Sequence, residues 1–165
     1  MRPSSETSSR SSTSRDQGAA EARAHSAVHV LMGAVKRVLG PRRFTSARAL
    51  GNGTATLTAR SDRRPSGEEV SRIEAAANEK IAEDAEVLEF EMDRQEAEGH
   101  FGQGIYDLCP APDGELLRMV RIPEWETSCC TKVHVESTVS IGMLRIDSLS
   151  FDEDGKELEL RFHLL

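Results

Sequence analysis

Two pairs of metal-competent side chains stand far apart in this sequence, and each is spaced like half of one site. The first is His25-x3-His29, in "AHSAVHVLMGAVKRVLGP". The second is Cys130-x3-His134, in "TSCCTKVHVEST". If both halves serve one ion, the fold must carry the start of the chain's body against a segment near residue 130. Few arrangements of the intervening elements satisfy that requirement.

The first pair lies in a helical pattern. Val28, Leu31, Met32, Val35, Val38 and Leu39 form one stripe at helical period, and Gly40-Pro41 is a stop signal. A spacing of four puts both imidazoles on one helix face, with Cβ atoms about 6 Å apart. Taken singly, each half has a plain alternative. Two histidines fall at this spacing by chance, and a buried free cysteine is a frequent fate for that residue. Together, one thiolate and three imidazoles make a tetrahedral zinc set, softer than magnesium or calcium require. One Zn2+ per chain is the expected cofactor.

Four protein ligands close a coordination shell, which is usual for a structural zinc; a catalytic zinc keeps a position open. Two function classes therefore remain open on residue types alone. One is a hydrolase acting on an ester or amide. The other is a non-catalytic, zinc-stabilised binding module.

The chain has 165 residues, enough for one domain with one core. Its three cysteines are an odd number and two are neighbours, which disfavours a disulfide framework and favours a reducing, cytoplasmic setting. The apolar runs are short and broken by charge, so no membrane-spanning helix is expected. The net charge of −7 argues against general binding to polyanions, and no DNA partner is expected. Residues 1–20, "MRPSSETSSRSSTSRDQGAA", are dominated by Ser, Thr and Arg and offer little to bury, so a disordered tail is expected before a body at 21–165. A Ser/Arg-rich start is also typical of transit peptides, but Glu6 and Asp16 count against that reading.

Along the body, "PSGEEVSRIEAAANEKIAED" reads as a second helix, with Ser66 and Glu69 as a capping box and Val70, Ile73, Ala77 and Ile81 facing inward. "GNGTATLTARSD" reads as a turn and a strand. "EVLEFEMD" alternates as a half-exposed strand, and "RQEAEGHFGQG" as a short helix. "ELLRMVRIPEW" is a further strand. The C-terminus reads as a hairpin turning near Asp154-Gly155, with Leu158, Leu160, Phe162 and Leu164 alternating. The expected class is α+β: two main helices on a mostly antiparallel sheet of about five strands, without the βαβ repeat of a doubly wound fold.

In order, "AHSAVHVLMGAVKRVLG", "RRPSGEEVSRIEAAANEKI" and "CTKVHVESTVSIGMLRI" resemble the editing domain of alanyl-tRNA synthetases, and most of all its small freestanding form, AlaX. The related editing domains of threonyl-tRNA synthetases share the four metal positions. The resemblance runs from about residue 22 to the C-terminus. It implies a trans-editing deacylase that hydrolyses mischarged tRNA(Ala), chiefly Ser-tRNA(Ala) and also Gly-tRNA(Ala). It implies His25, His29, Cys130 and His134 as zinc ligands, preferring Cys130 over Cys129. Thr45 matches a threonine credited with discriminating serine. His25 is a candidate base where the zinc is absent, and Lys132 a candidate to steady an oxyanion or a phosphate. The implied partner is the acceptor end of tRNA, with Lys36, Arg37, Arg42 and Arg43, and a second cluster of Arg60, Arg63 and Arg64, as candidate phosphate contacts. The sequence departs from the family after the late motif, where Thr-Gly-Glu-Ile-Gly is replaced by Thr138-Val139-Ser140-Ile141-Gly142. It also leaves no room for an ATP-using aminoacylation domain. His100, His163 and Cys109 are expected to be uninvolved in metal binding.

Overall fold

A computed structural model describes residues 10–165, with side chains from residue 15 onward. Among the described residues the fold is α+β, with three α-helices and two antiparallel sheets. Helix α1 spans Arg10–Leu39, α2 Gly67–Ala82 and α3 Arg94–Phe101. The strands are β1 Phe44–Gly51, β2 Thr54–Arg60, β3 Leu88–Asp93, β4 Leu116–Ile122, β5 Glu126–Cys129, β6 Leu144–Asp152 and β7 Glu157–Leu164. One sheet has the order β1-β2-β7-β6, the other β3-β4-β5. Among the described residues no helix is long and apolar enough to cross a membrane.

The two expected main helices are present. Helix α2 begins with the expected capping box: Ser66 Oγ accepts from the Glu69 N–H, and Glu69 accepts from the Ser66 N–H. Ile73, Ala77 and Ile81 are buried as expected, whereas Val70 is only half-buried. Helix α1 starts earlier than the apolar pattern suggests. It takes in residues 10–20, half of the stretch expected to be a disordered tail, and residues 15–20 are exposed along it. Residues 1–9 of that stretch lie outside the described residues.

The sequence suggested one sheet of about five strands; there are seven strands in two sheets, because β1 and β5 lack an alternating pattern. Phe44 is the one buried side chain on β1, an edge strand, and β5 is four residues long. Strand β4 explains the second sheet. Its Val120 and Ile122 join the main core with Leu31 and Val35 of α1, Ile73 of α2, and Leu57, Leu160 and Phe162 of the large sheet. Its Leu117 and Met119 face the other way, into a smaller core with Ala97, Ile105 and Cys129. Successive side chains on a strand point to opposite faces, so a strand apolar on both is one buried on both.

Trp125, the only tryptophan, ties the β4–β5 turn to α1. Its indole N–H donates to the Val30 carbonyl at 2.9 Å, and it lies so close to the helix that a Cβ on Gly33 would stand 2.3 Å from Nε1. The Arg37 guanidinium stacks 3.9 Å from the ring centre. Gly33→Ala is therefore expected to destabilise the protein by about 1–3 kcal/mol through overpacking, even though alanine gains about 1 kcal/mol in helix propensity. Urea denaturation followed by tryptophan fluorescence checks both effects. A variant as stable as the parent, with unshifted emission, contradicts this packing.

Candidate metal centre

The two half-sites meet. The donor atoms of His25, His29, Cys130 and His134 lie within 4.8 Å of one another. His25 Nε2 is 3.0 Å from Cys130 Sγ and 3.2 Å from His29 Nε2. The three imidazole centroids are 4.9 to 5.1 Å apart, and no two rings are coplanar. A tetrahedral zinc with nitrogen at about 2.0–2.1 Å and sulfur at about 2.3 Å holds its donors roughly 3.3–3.7 Å apart. The closest pairs here are near that spacing, so the donors converge on one point.

Burial supports the fit. His29, Cys130 and His134 are buried, and His25 is half-buried. His29 Nδ1 and both ring nitrogens of His134 are buried without a hydrogen-bond partner among the described residues. Unpartnered buried nitrogens are costly, and a cation among the donors would relieve one of His134's two. Burial is the main force lowering all three histidine pKa values, to about 4 for His25 and well below the ordinary value for His29. The rings are therefore neutral near pH 7, as metal ligands must be. Burial raises the Cys130 thiol, so ion binding has to displace its proton.

The cysteine pair is resolved by strand geometry. Cys129 ends β5 opposite Met119 and points into the smaller core, where burial foremost pushes its thiol up to about 11. Cys130, the next residue, turns to the other side, toward α1. Cys109 is free and packs against the smaller core beside Cys129; His100 and His163 lie outside the donor cluster, and His163 pairs instead with Asp147 at 2.7 Å.

The segment carrying Cys130 and His134 is irregular, and side chains hold it. Buried Ser26, between the two α1 histidines, accepts from the Val135 N–H at 3.0 Å and donates to the Ala22 carbonyl. Glu89 of β3 accepts from the His134 N–H at 3.1 Å and lies 3.4 Å from His134 Nδ1. Arg118 of β4 pairs with Glu89 and donates to the carbonyls of Cys130 and Lys132. Neither Ser26, Glu89 nor Arg118 stood out in the sequence. Ser26 lies inside the H-x3-H motif, but its partner is remote, and Glu89 is one of several acidic residues alternating along β3.

A cleft of about 630 Å3 opens beside the cluster. Its walls include His25, Ala22 and Val28 of α1, Ala47 and Arg48 of β1, and Lys132. Of the four donor residues, His25 alone lines it. Lys132 is thus part of the cleft wall. Thr45 is not among the residues lining the cleft: it is exposed on β1 and donates to Glu157 at 3.3 Å. A bulge between Phe44 and Ser46 sets that register.

The expected phosphate contacts are divided. Lys36 is tied at 2.9 Å to the buried carboxylate of Glu126, and Arg37 stacks on Trp125 while donating to the Glu124 carbonyl. Both are occupied within the protein. Arg42 and Arg43 line a second cleft of about 680 Å3 with Gln103 and Tyr106, at the far end of α1. In the other cluster, Arg63 makes two bonds of 2.7 Å to Glu69, and Arg60 and Arg64 donate to backbone carbonyls.

Comparison with known proteins agrees with the resemblance. The chain is 36% identical over 140 residues to alanine–tRNA ligase of Methanopyrus kandleri. It is 35% identical over 135 residues to that of Pyrococcus abyssi, and 37% over 133 residues to that of Hyperthermus butylicus. The chain is a homologue of part of the alanine–tRNA ligases. These alignments cover 81% to 85% of the chain but only 14% to 15% of each relative, so it spans about one seventh of the proteins it matches. No protein-family model matches it.

Glu89 is the residue outside the donor set most directly coupled to it. Glu89→Ala is expected to weaken metal binding about 10–100-fold, the usual loss when a ligand's supporting partner is removed. Competition titration against a chromophoric chelator measures this, and an unchanged affinity would show that Arg118 and Ser26 hold the segment without it.

Proposed function

We propose that residues 21–165 form an aminoacyl-tRNA editing domain. It hydrolyses the ester of mischarged tRNA(Ala), seryl foremost and glycyl as well, at a zinc site of His25, His29, Cys130 and His134, in the cytoplasm. The observation that carries this reading is the position of the four-donor cluster beside an open cleft, with His25 shared between them. A buried structural metal needs no such opening. The relatives' name supplies the link to alanine and its tRNA.

The need for such a site follows from the substrates. A pocket shaped for alanine rejects serine or glycine poorly, since one adds only a hydroxyl and the other lacks only a methyl. A bound zinc supplies Lewis acidity and fixed positive charge at the ester. His25 joins cluster to cleft as a neutral imidazole. With a pKa near 4 it is a weak base, so its part is to hold the metal at the cleft wall. Lys132 extends an exposed ammonium from the rim, suited to the oxyanion that develops as the ester is attacked. Ala22, Val28 and Ala47 give the cleft an apolar side that limits water around the bound ester.

Arg42 and Arg43 are assigned to backbone phosphates of the acceptor stem. Fourteen residues of α1 separate His25 from Leu39, about 21 Å along a helix, so a stem with its ester at the cleft can pass the second cleft as well.

Purified protein is expected to release serine from Ser-tRNA(Ala) while sparing Ala-tRNA(Ala). A chelator or Cys130→Ser should each lower the rate more than about a hundredfold. Zinc and tRNA binding without any hydrolysis would instead identify a binding module. The double variant Arg42→Ala/Arg43→Ala should reduce the slope of log affinity against log salt by about 2. If binding and its salt dependence stay as in the parent, the phosphate assignment is wrong.

A further inference from the structure

We infer that Glu21 recognises the free α-ammonium of the aminoacyl group in the cleft beside His25. Glu21 and His25 are four residues apart on α1, and both line the cleft. Their Cβ atoms are therefore about 6 Å apart on one helix face. Among the residues lining the cleft, Glu21 alone is acidic. The other fully charged side chains there, Arg48 of β1 and Lys132, are cationic.

An aminoacyl ester on a nucleotide matches that pattern of charge. It has one cationic group, the α-ammonium, one bond from the carbon bearing the reacting carbonyl. Its anionic groups are the phosphodiesters beyond the ribose. A carbonyl held at the His25 wall leaves the ammonium within reach of the Glu21 carboxylate. Arg48 and Lys132 are then free to take phosphate or developing negative charge. Small side chains at Gly18 and Ala22, beside Glu21, keep its carboxylate accessible. Glu21 belongs to the part of α1 that precedes the apolar stripe, so hydrophobic periodicity does not single it out.

This inference rests on the editing reading and adds a rule to it: the substrate must carry an unblocked amino group. The test compares Ser-tRNA(Ala) with N-acetylseryl-tRNA(Ala), whose nitrogen is uncharged, by kcat/KM in the zinc-loaded full-length chain. The wild-type protein should prefer the free amine about fivefold, the size of a solvent-accessible ion pair. Glu21→Gln should bring the ratio to about one, chiefly through KM. Glu21→Lys should invert it, because a second ammonium repels the first. Zinc content and far-UV circular dichroism verify that each variant is folded and loaded. A preference for the free amine that persists in both variants overturns the inference and leaves the editing reading standing. Hydrolysis of neither ester by the wild-type protein overturns the editing reading, and the inference with it.

Discussion

The site depends on holding an irregular segment against a helix. Residues 130–135 belong to no strand or helix, yet they supply two of the four donors. Ordering backbone costs about 1–2 kcal/mol per residue, and a loop has no ladder of hydrogen bonds to offset it. Here the offset comes from a few side chains on neighbouring elements. Ser26 takes the Val135 N–H, Glu89 takes the His134 N–H, and Arg118 reaches two carbonyls. The same Ser26 sits one residue after His25, so a single buried hydroxyl sets the distance between the helix pair and the loop pair. The donors are brought together by protein contacts before any ion is considered.

Downstream, Thr138 does for the end of this segment what Ser26 does for its middle. Its hydroxyl donates to the carbonyls of α2's last turn and accepts from the Ala85 N–H. This explains how the chain tolerates its departure from the family pattern. The positions that keep the family residue are the structural ones: Thr138 and Ile141 are fully buried, and Gly142 has φ of 82°, where a Cβ would also crowd Arg23. The two changed positions, Val139 and Ser140, are exposed. The missing glycine is not needed, because Val139 lies in a short right-handed turn rather than at positive φ. The turn forms with both changed side chains on its exposed face.

How much was legible beforehand follows the same division between local and remote causes. The donors were legible because H-x3-H and C-x3-H are local spacings. Helix α2 and the β6–β7 hairpin were legible because capping and alternation are local too. Strand β1 was not: its residues from Thr45 to Leu50 are exposed or half-buried, and its one strong cue was the Asn52-Gly53 turn that follows it. Without β1 in register, neither the distance of Thr45 from the cleft nor the presence of Arg48 at it was visible. The basic residues failed in the same way. Lys36 and Arg37 looked like a free cluster because Glu126 and Trp125, which engage them, come from the β4–β5 turn. The small second core was hidden in β4, where Arg118 and Arg121 interrupt the apolar residues and nothing local names what covers Leu117 and Met119.

Access to the cluster is asymmetric, and this constrains what the site can do. His29, Cys130 and His134 are at most 6% exposed, and only His25 is half-open. The cleft lined by α1 and β1 meets the cluster at His25. The walls of that cleft carry alanines and valines, one carboxylate and two cations. A compact free anion such as a chelator's carboxylate meets little there to hold it but charge. An aminoacyl ester brings an apolar stem as well as both signs of charge, and so engages more of the wall. Under the proposed reading, selectivity is set along this approach, by Glu21, Arg48 and Lys132, which line the cleft.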